Sequence, residues 1–203
     1  EECVDEHDYC DSEIGNELPT RVIDVGLQDG IIRLVEAMGR VDRYVCLSHC
    51  WGPAQIITTT RATIEDRKRG IAPEQLSKTF TEAIQLTRRL NISYIWIDSL
   101  CIVQDDRWDW AKESAKMSSV YRNAYLTIAA MRSASGLGGL STPTPDCEVS
   151  GTTPLGEPFR LFFRRQIEHV HSDDQGLSEV WPLMSRAWIY QERLLSPRVV
   201  HFG

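Results

Sequence analysis

Trp188 and Glu192 stand four residues apart in the run Arg186-Ala-Trp-Ile-Tyr-Gln-Glu192. The run reads as a short amphipathic helix. A spacing of four is just over one helical turn, so the indole and the carboxylate fall on one face. That pair suits a flat, cationic, aromatic substrate, on which the ring can stack and which the carboxylate can attract. A lone W-x-x-x-E also matches by chance, and a half-buried Trp beside a surface Glu is its simplest meaning. Two more blocks place polar and aromatic groups at the ends of apolar runs: Tyr44-Val-Cys-Leu-Ser-His-Cys-Trp-Gly52 and Tyr94-Ile-Trp-Ile-Asp-Ser-Leu-Cys-Ile-Val-Gln-Asp-Asp106.

The elements that must position these groups can be read from local pattern. Arg21–Val25 and Ile31–Val35 are β-rich runs around Asp29-Gly30, a hairpin-type turn signal in a loop longer than two residues. Tyr44–Ser48 and Tyr94–Asp98 are apolar, β-branched strands, the second a candidate for a buried central position. Leu126–Ala130 and Arg198–Phe202 are further strands, and Phe159–Phe163 forms another. Between them Thr79-Phe-Thr-Glu82 reads as a capping box, with Phe80, Ala83, Ile84, Thr87 and Leu90 at helical spacing and Asn91 as a left-handed stop. Asp105 and Asp106 offer N-caps for a helix carrying Trp110, Met117, Val120, Tyr121 and Ala124. Spacing assigns its Met and aromatics to the core rather than to a ligand. Helices alternating with strands predict an open α/β sheet with largely parallel central strands, helices on both faces and an N-terminal hairpin. Residues 133–158, rich in Ser, Gly, Thr and Pro and without a hydrophobic period, are expected to form a mobile insertion.

In open α/β sheets ligands gather at the carboxyl ends of strands. Three polar clusters should meet there: Ser48, His49, Trp51 and Gly52; Asp98, Ser99, Cys101, Gln104 and Asp105; and Arg186, Trp188 and Glu192. The bland alternatives are an Asp98 that caps a neighbouring turn, a Trp51 packed on the sheet, and an Arg186 that pairs with Glu192 on the helix surface. His49, Cys50 and Cys101 invite a Cys-His hydrolase reading, although no glycine-flanked nucleophile turn accompanies them.

The chain has 203 residues, 42% hydrophobic content and a net charge of −7. That length allows a substantial core. The acidic balance argues against generic nucleic-acid binding, and the basic residues around Lys68-Arg69, Arg88-Arg89 and Arg164-Arg165 form only runs of two or three. No apolar run reaches the ~18 residues of a membrane span, and no secretory leader opens the chain. Cys46 and Cys101 sit inside apolar runs as small hydrophobes, which suits a reducing cytoplasm better than a disulfide scaffold. The acidic segment 1–18 contains Cys3, His7 and Cys10, three potential zinc ligands within eight residues, for which Cys50, Cys147 or His201 could complete a tetrahedral structural zinc site. A loose acidic tail is the competing reading. The sequence stops directly after a strand, as expected of a piece cut from a longer protein.

Taken in order, the three blocks resemble the signature blocks of the fungal heterokaryon-incompatibility (HET) domain. Pro19-Thr-Arg-Val-Ile-Asp-Val25 is similar to the start of that domain and Met117-Ser-Ser-Val-Tyr-Arg-Asn-Ala124 to its middle, so the likeness covers residues 19–203. It implies a role in fungal non-self recognition and programmed cell death, with self-association and a separate, unidentified recognition domain or protein. HET domains are in turn distantly similar to Toll/interleukin-receptor (TIR) domains, which are flavodoxin-like; some of these cleave NAD with a helical glutamate and others serve only as adaptors. Glu192 matches that glutamate, which makes NAD or NADP the implied substrate. The implied binding residues are Ser48, Trp51, Gly52, Asp98, Gln104, Arg186 and Trp188. Trp51 and Trp188 would stack on bases, Arg186 would face a phosphate, and backbone N–H groups at a helix starting after Gly52 would hold another. A non-enzymatic death-signalling adaptor is the alternative.

Overall fold

Strands form where apolar, β-branched residues run without interruption, and most of them join one mixed sheet. The computed structural model describes residues 15–53, 56–141, 147–163 and 181–203. In chain order the strands are β1 (Asn16–Glu17), β2 (Arg21–Asp24), β3 (Arg33–Glu36), β4 (Val41–Asp42), β5 (Tyr44–Ser48), β6 (Tyr94–Trp96), β7 (Leu126–Ala130), β8 (Cys147–Thr152), β9 (Pro158–Phe163) and β10 (Val199–Phe202). The helices are α1 (Ile64–Arg69), α2 (Lys78–Arg89), α3 (Asp98–Cys101), α4 (Arg107–Arg122) and α5 (Ile189–Leu195).

The main sheet has the order β10-β7-β5-β6-β2-β3. The pairs β10/β7, β7/β5 and β5/β6 are parallel, whereas β6/β2 and β2/β3 are antiparallel. All residues of β5, β6 and β7 are buried, the pattern of strands covered on both faces. The four strands expected to share one sheet do so, and Tyr94–Trp96 is internal rather than an edge. The N-terminal hairpin is present as β2/β3, and it extends the main sheet. Parallel neighbours require long crossovers, supplied by α1 and α2 between β5 and β6, and by α3 and α4 between β6 and β7.

Local chemistry sets the helix ends. Ser77 caps α2 by accepting from the Phe80 N–H at 3.3 Å, so the expected box at Thr79 and Glu82 is not formed. Glu82 instead accepts from the Leu140 N–H at 2.6 Å, and Thr79 donates to the Gly136 carbonyl at 3.0 Å. These two side chains tie the 136–140 loop to α2. Asn91 closes that helix at φ 55°. Asp106 caps α4 through the Trp108 and Asp109 N–H groups, while Asp105 accepts from the Arg61 N–H. Residues 147–152, assigned to the insertion from sequence, are strand β8, paired antiparallel with β9. The irregular part of that segment is therefore shorter than its composition suggests.

Trp96, Tyr44, Phe80, Ile95, Ile97, Leu100 and Ile128 are fully buried in the main core. Burial of each large apolar side chain contributes roughly 1.5–3 kcal/mol. Trp96 meets Tyr121 of α4 edge-on at 5.8 Å, which fixes α4 against the sheet. No helix among the described residues is long and apolar enough to cross a membrane.

Candidate functional site

The parallel register Val45↔Ile95 and Cys46↔Trp96 brings the carboxyl ends of β5 and β6 side by side. From β5 the chain continues through buried Ser48 and His49 into Trp51 and Gly52. Gly52 has φ +69°, and a Cβ there would sit 2.4 Å from the Ser135 Cβ and 2.7 Å from the Ala134 carbonyl oxygen. Only glycine fits this close approach. The described residues after Gly52 are non-helical until α1 begins at Ile64. Among the described residues no helix N-terminus follows Gly52, where a phosphate-binding one was expected; the glycine serves backbone packing.

Asp98 is the hub of the site. Strand β6 ends earlier than expected, at Trp96, and Asp98 opens the short helix α3. Its Oδ1 accepts from the Ser99 N–H at 2.7 Å, and its Oδ2 accepts from the Trp51 indole N–H at 2.9 Å. Arg186 Nη2 lies 3.9 Å from Oδ2 and His49 Nε2 lies 3.8 Å from Oδ1. Asp98 thus holds the turn that opens α3 and also lines the cleft described below. Gln104 turns its amide N–H groups back onto the carbonyls of Asp98 at 3.2 Å and Ile102 at 3.1 Å.

Arg186 precedes α5 and donates through Nη1 to the His49 carbonyl. With its other contact on Asp98, it bridges the ends of β5 and β6; it makes no ion pair with Glu192 among the described residues. Trp188 is the N-cap residue of α5, and its carbonyl accepts from the Glu192 N–H at 3.1 Å. The two side chains then part company. Trp188 is 48% exposed, whereas Glu192 is 2% exposed and accepts a hydrogen bond from the Ser48 hydroxyl. Burial raises the Glu192 carboxyl above its ordinary range, and the Ser48 hydrogen bond, Arg186 and a Tyr121 hydrogen bond oppose that rise.

A cleft of about 200 Å³ opens beside this array. Trp51, Asp98, Gln104, Arg186 and Trp188, five of the residues expected from sequence, line it together with Trp110. Ser48 and Glu192 stand apart from its lining, as a buried pair joined to the cleft through Arg186 and α5. Trp110 was assigned to the core by spacing, yet it is half-exposed at the cleft wall. Spacing carries no warning of this, because Trp110, Ser114 and Met117 lie on one face of α4 and all three line the cleft.

His49 is buried against Phe80, edge-on at 5.0 Å, and burial pushes its pKa down. Its Nε2 has no hydrogen-bond partner among the described residues. Burial also raises the thiols nearby: Cys50 is shifted up and Cys101 is pushed up to about 12. Both therefore resist forming the thiolate that a Cys-His hydrolase needs. The proposed zinc ligands Cys3, His7 and Cys10 lie outside the described residues. Among the described residues no group of three or more His, Cys, Asp or Glu is arranged to hold a metal ion.

A second cavity, about 500 Å³, lies at the opposite end of β5 beside Tyr44. Its cations are already engaged, Arg21 with Asp109 at 2.5 Å and Lys116 with Glu113 at 3.3 Å. The smaller cleft gathers the polar groups at the strand ends, where α/β sheets bind ligands.

Comparison with curated proteins and with solved structures gives no significant match. The heterokaryon incompatibility protein (HET) family matches residues 44–192, from the first residue of β5 to the buried carboxylate of α5. That span takes in all three strand-end clusters and most of the chain, which therefore belongs to the heterokaryon-incompatibility family.

Proposed function

We propose that this domain executes fungal programmed cell death after non-self recognition by cleaving NAD(P) to nicotinamide and an ADP-ribose product. A role in heterokaryon incompatibility and cell death follows from the family; the chemistry is the proposal. The observation that carries it is the buried Ser48–Glu192 pair beside a cleft walled by Trp51, Trp110 and Trp188 with Asp98 inside. Breaking the ribosyl–nicotinamide bond sends the bonding pair to the cationic ring, which departs as neutral nicotinamide without needing a proton. Water then captures the oxocarbenium-like centre and loses a proton, giving ADP-ribose. One well-placed carboxylate can then suffice, where ordinary glycosidases use two. Glu192 is the catalytic carboxylate of this reading, and Asp98 binds the cation or the ribose hydroxyls from the cleft wall. Glu192 is withdrawn from the cleft lining, so catalysis requires a shift of α5, which also carries the cleft residue Trp188. Self-association of domains, driven by a separate recognition partner, would supply that shift.

The TIR-like, flavodoxin-like relationship belongs to the same reading and is supported by parallel β10, β7, β5 and β6 with polar groups at the strand ends. Free Cys46, Cys50 and Cys101, all buried, suit a cytoplasmic location. A structural zinc on Cys3, His7 and Cys10 remains part of the proposal for the N-terminal segment, tested by metal content of chelator-free protein.

One observation favours the adaptor reading instead. Tyr190 and Leu194, four apart on α5, are 72% and 64% exposed and form an apolar stripe suited to a protein contact. The separating experiment is NAD loss, followed by fluorescence, with purified protein fused to a forced-oligomer module. Consumption of NAD supports the enzyme. Cell killing by the clustered protein with NAD untouched establishes the adaptor.

A further inference from the structure

We propose that the 200 Å³ cleft is a reader of one flat ring bearing a primary carboxamide, in which Gln104 and Ser114 accept the amide N–H groups. This rests on the NAD(P)-cleaving reading and names the part of the substrate that the cleft holds. The volume lies below the roughly 300–1,000 Å³ typical of pockets for drug-sized ligands. A single ring fits such a space, and a dinucleotide must lie mostly outside it.

The polar groups that remain free at the wall select the ring's substituent. Both N–H groups of the Gln104 side chain are used, on the Asp98 and Ile102 carbonyls, which fixes the amide's orientation. Its Oε1 has no donor among the described residues. Ser114 Oγ donates to the Ala111 carbonyl at 3.2 Å, so its lone pairs are open. Both residues line the cleft, and two acceptors match the two N–H groups of a primary carboxamide. The complementary carbonyl needs a donor, and the indole N–H groups of Trp110 and Trp188 have no partner among the described residues. The Trp51 N–H is already given to Asp98. Trp110 and Trp188 are each about half exposed, which leaves ring surface for stacking. Asp98 and Arg186, 3.9 Å apart, balance each other. The cleft therefore accepts the cationic ring of the intact dinucleotide and the neutral ring after cleavage.

The test uses the whole chain and two neutral rings of nearly equal shape, nicotinamide and 3-acetylpyridine, which replaces the amide nitrogen with a methyl group. Quenching of tryptophan fluorescence reads binding of each. Nicotinamide should bind at least about tenfold more tightly, because the methyl ketone leaves the two acceptors unpaired. In Ser114→Ala the preference should shrink several-fold, and Gln104→Met should shrink it further. Ser114 is the safer site, since its hydroxyl only returns to its own helix. Equal binding of the two rings, no binding of nicotinamide, or a preference unchanged in both variants overturns the inference. If clustered protein consumes NAD while the two rings bind alike, only the carboxamide reading falls. If nicotinamide is preferred but clustered protein leaves NAD intact, the enzymatic proposal falls and the ring site stands.

Discussion

The Ser48 hydroxyl at the end of β5 donates to the Glu192 carboxylate of α5 across 144 positions of sequence, and both groups are buried. A carboxyl in such a place keeps its charge only against a desolvation cost, which one hydroxyl, a nearby guanidinium and a tyrosine offset in part. The pair therefore ties the stability of the α5 contact to the protonation state of the residue proposed to act.

That tie has a definite sign. The folded pKa of Glu192 is raised above its unfolded value, so its contribution is fully present below the unfolded pKa. It is lost as pH rises through the folded value. Glu192→Gln imitates the protonated form and still accepts from Ser48. Urea midpoints should show the variant gaining on the wild type as pH rises from about 4 to 8. A difference between the two proteins that stays flat across that range would count against a carboxyl perturbed by burial.

His49 works in the opposite direction. Its folded pKa is lowered by burial, so the unfolded chain takes up a proton before the folded one does. The contribution is present above the unfolded value of about 6.5 and is lost as pH falls towards the folded value. Between pH 7 and 5 the wild type should lose stability that His49→Gln retains. Identical pH slopes for the two proteins over that interval would contradict a neutral buried imidazole.

Gly52→Ala should destabilise more than Gly39→Ala. Both glycines have positive φ, +69° and +78°, and each substitution carries a left-handed cost of about 1–2 kcal/mol. Gly39 has open space around it, whereas a Cβ on Gly52 meets the Ala134–Ser135 backbone. The extra loss is expected to appear in thermal unfolding together with a weakened cleft, because Trp51 is the next residue. Equal effects at the two sites would show that the 134–135 segment yields freely.

Much of this arrangement was legible from sequence, because the strands are short apolar runs that pack on both faces and leave polar residues only at their ends. Tyr44–Ser48 and Leu126–Ala130 form over their expected spans, and Trp51, Asp98, Gln104, Arg186 and Trp188 do share one cleft. Local pattern failed where a side chain had a long-range alternative. Glu82 left its own helix cap for the Leu140 N–H, and Gly52 was needed for backbone contact with residues more than eighty positions away. The W-x-x-x-E spacing holds in the backbone, where Trp188 is helical and its carbonyl accepts from the Glu192 N–H. What local pattern does not show is the distant partner Ser48, which holds the carboxylate in the interior while the indole stays half exposed.

The sharpest expectation concerns rates with clustered protein. If Glu192 stabilises charge in the transition state, Glu192→Gln should lower the rate of NAD loss by about 10²–10³. Asp98→Asn should behave differently. Asn keeps an acceptor for the Trp51 or Ser99 N–H but removes the charge that faces the cleft, so it should act more strongly on KM than on kcat. Far-ultraviolet circular dichroism of each variant guards against misreading a folding defect as a chemical one. Wild-type-like turnover in Glu192→Gln with loss in Asp98→Asn would move the catalytic role to the carboxylate on the cleft wall. Loss of turnover in both variants with KM unchanged would mean that the two carboxylates act together, as in a two-carboxylate glycosidase.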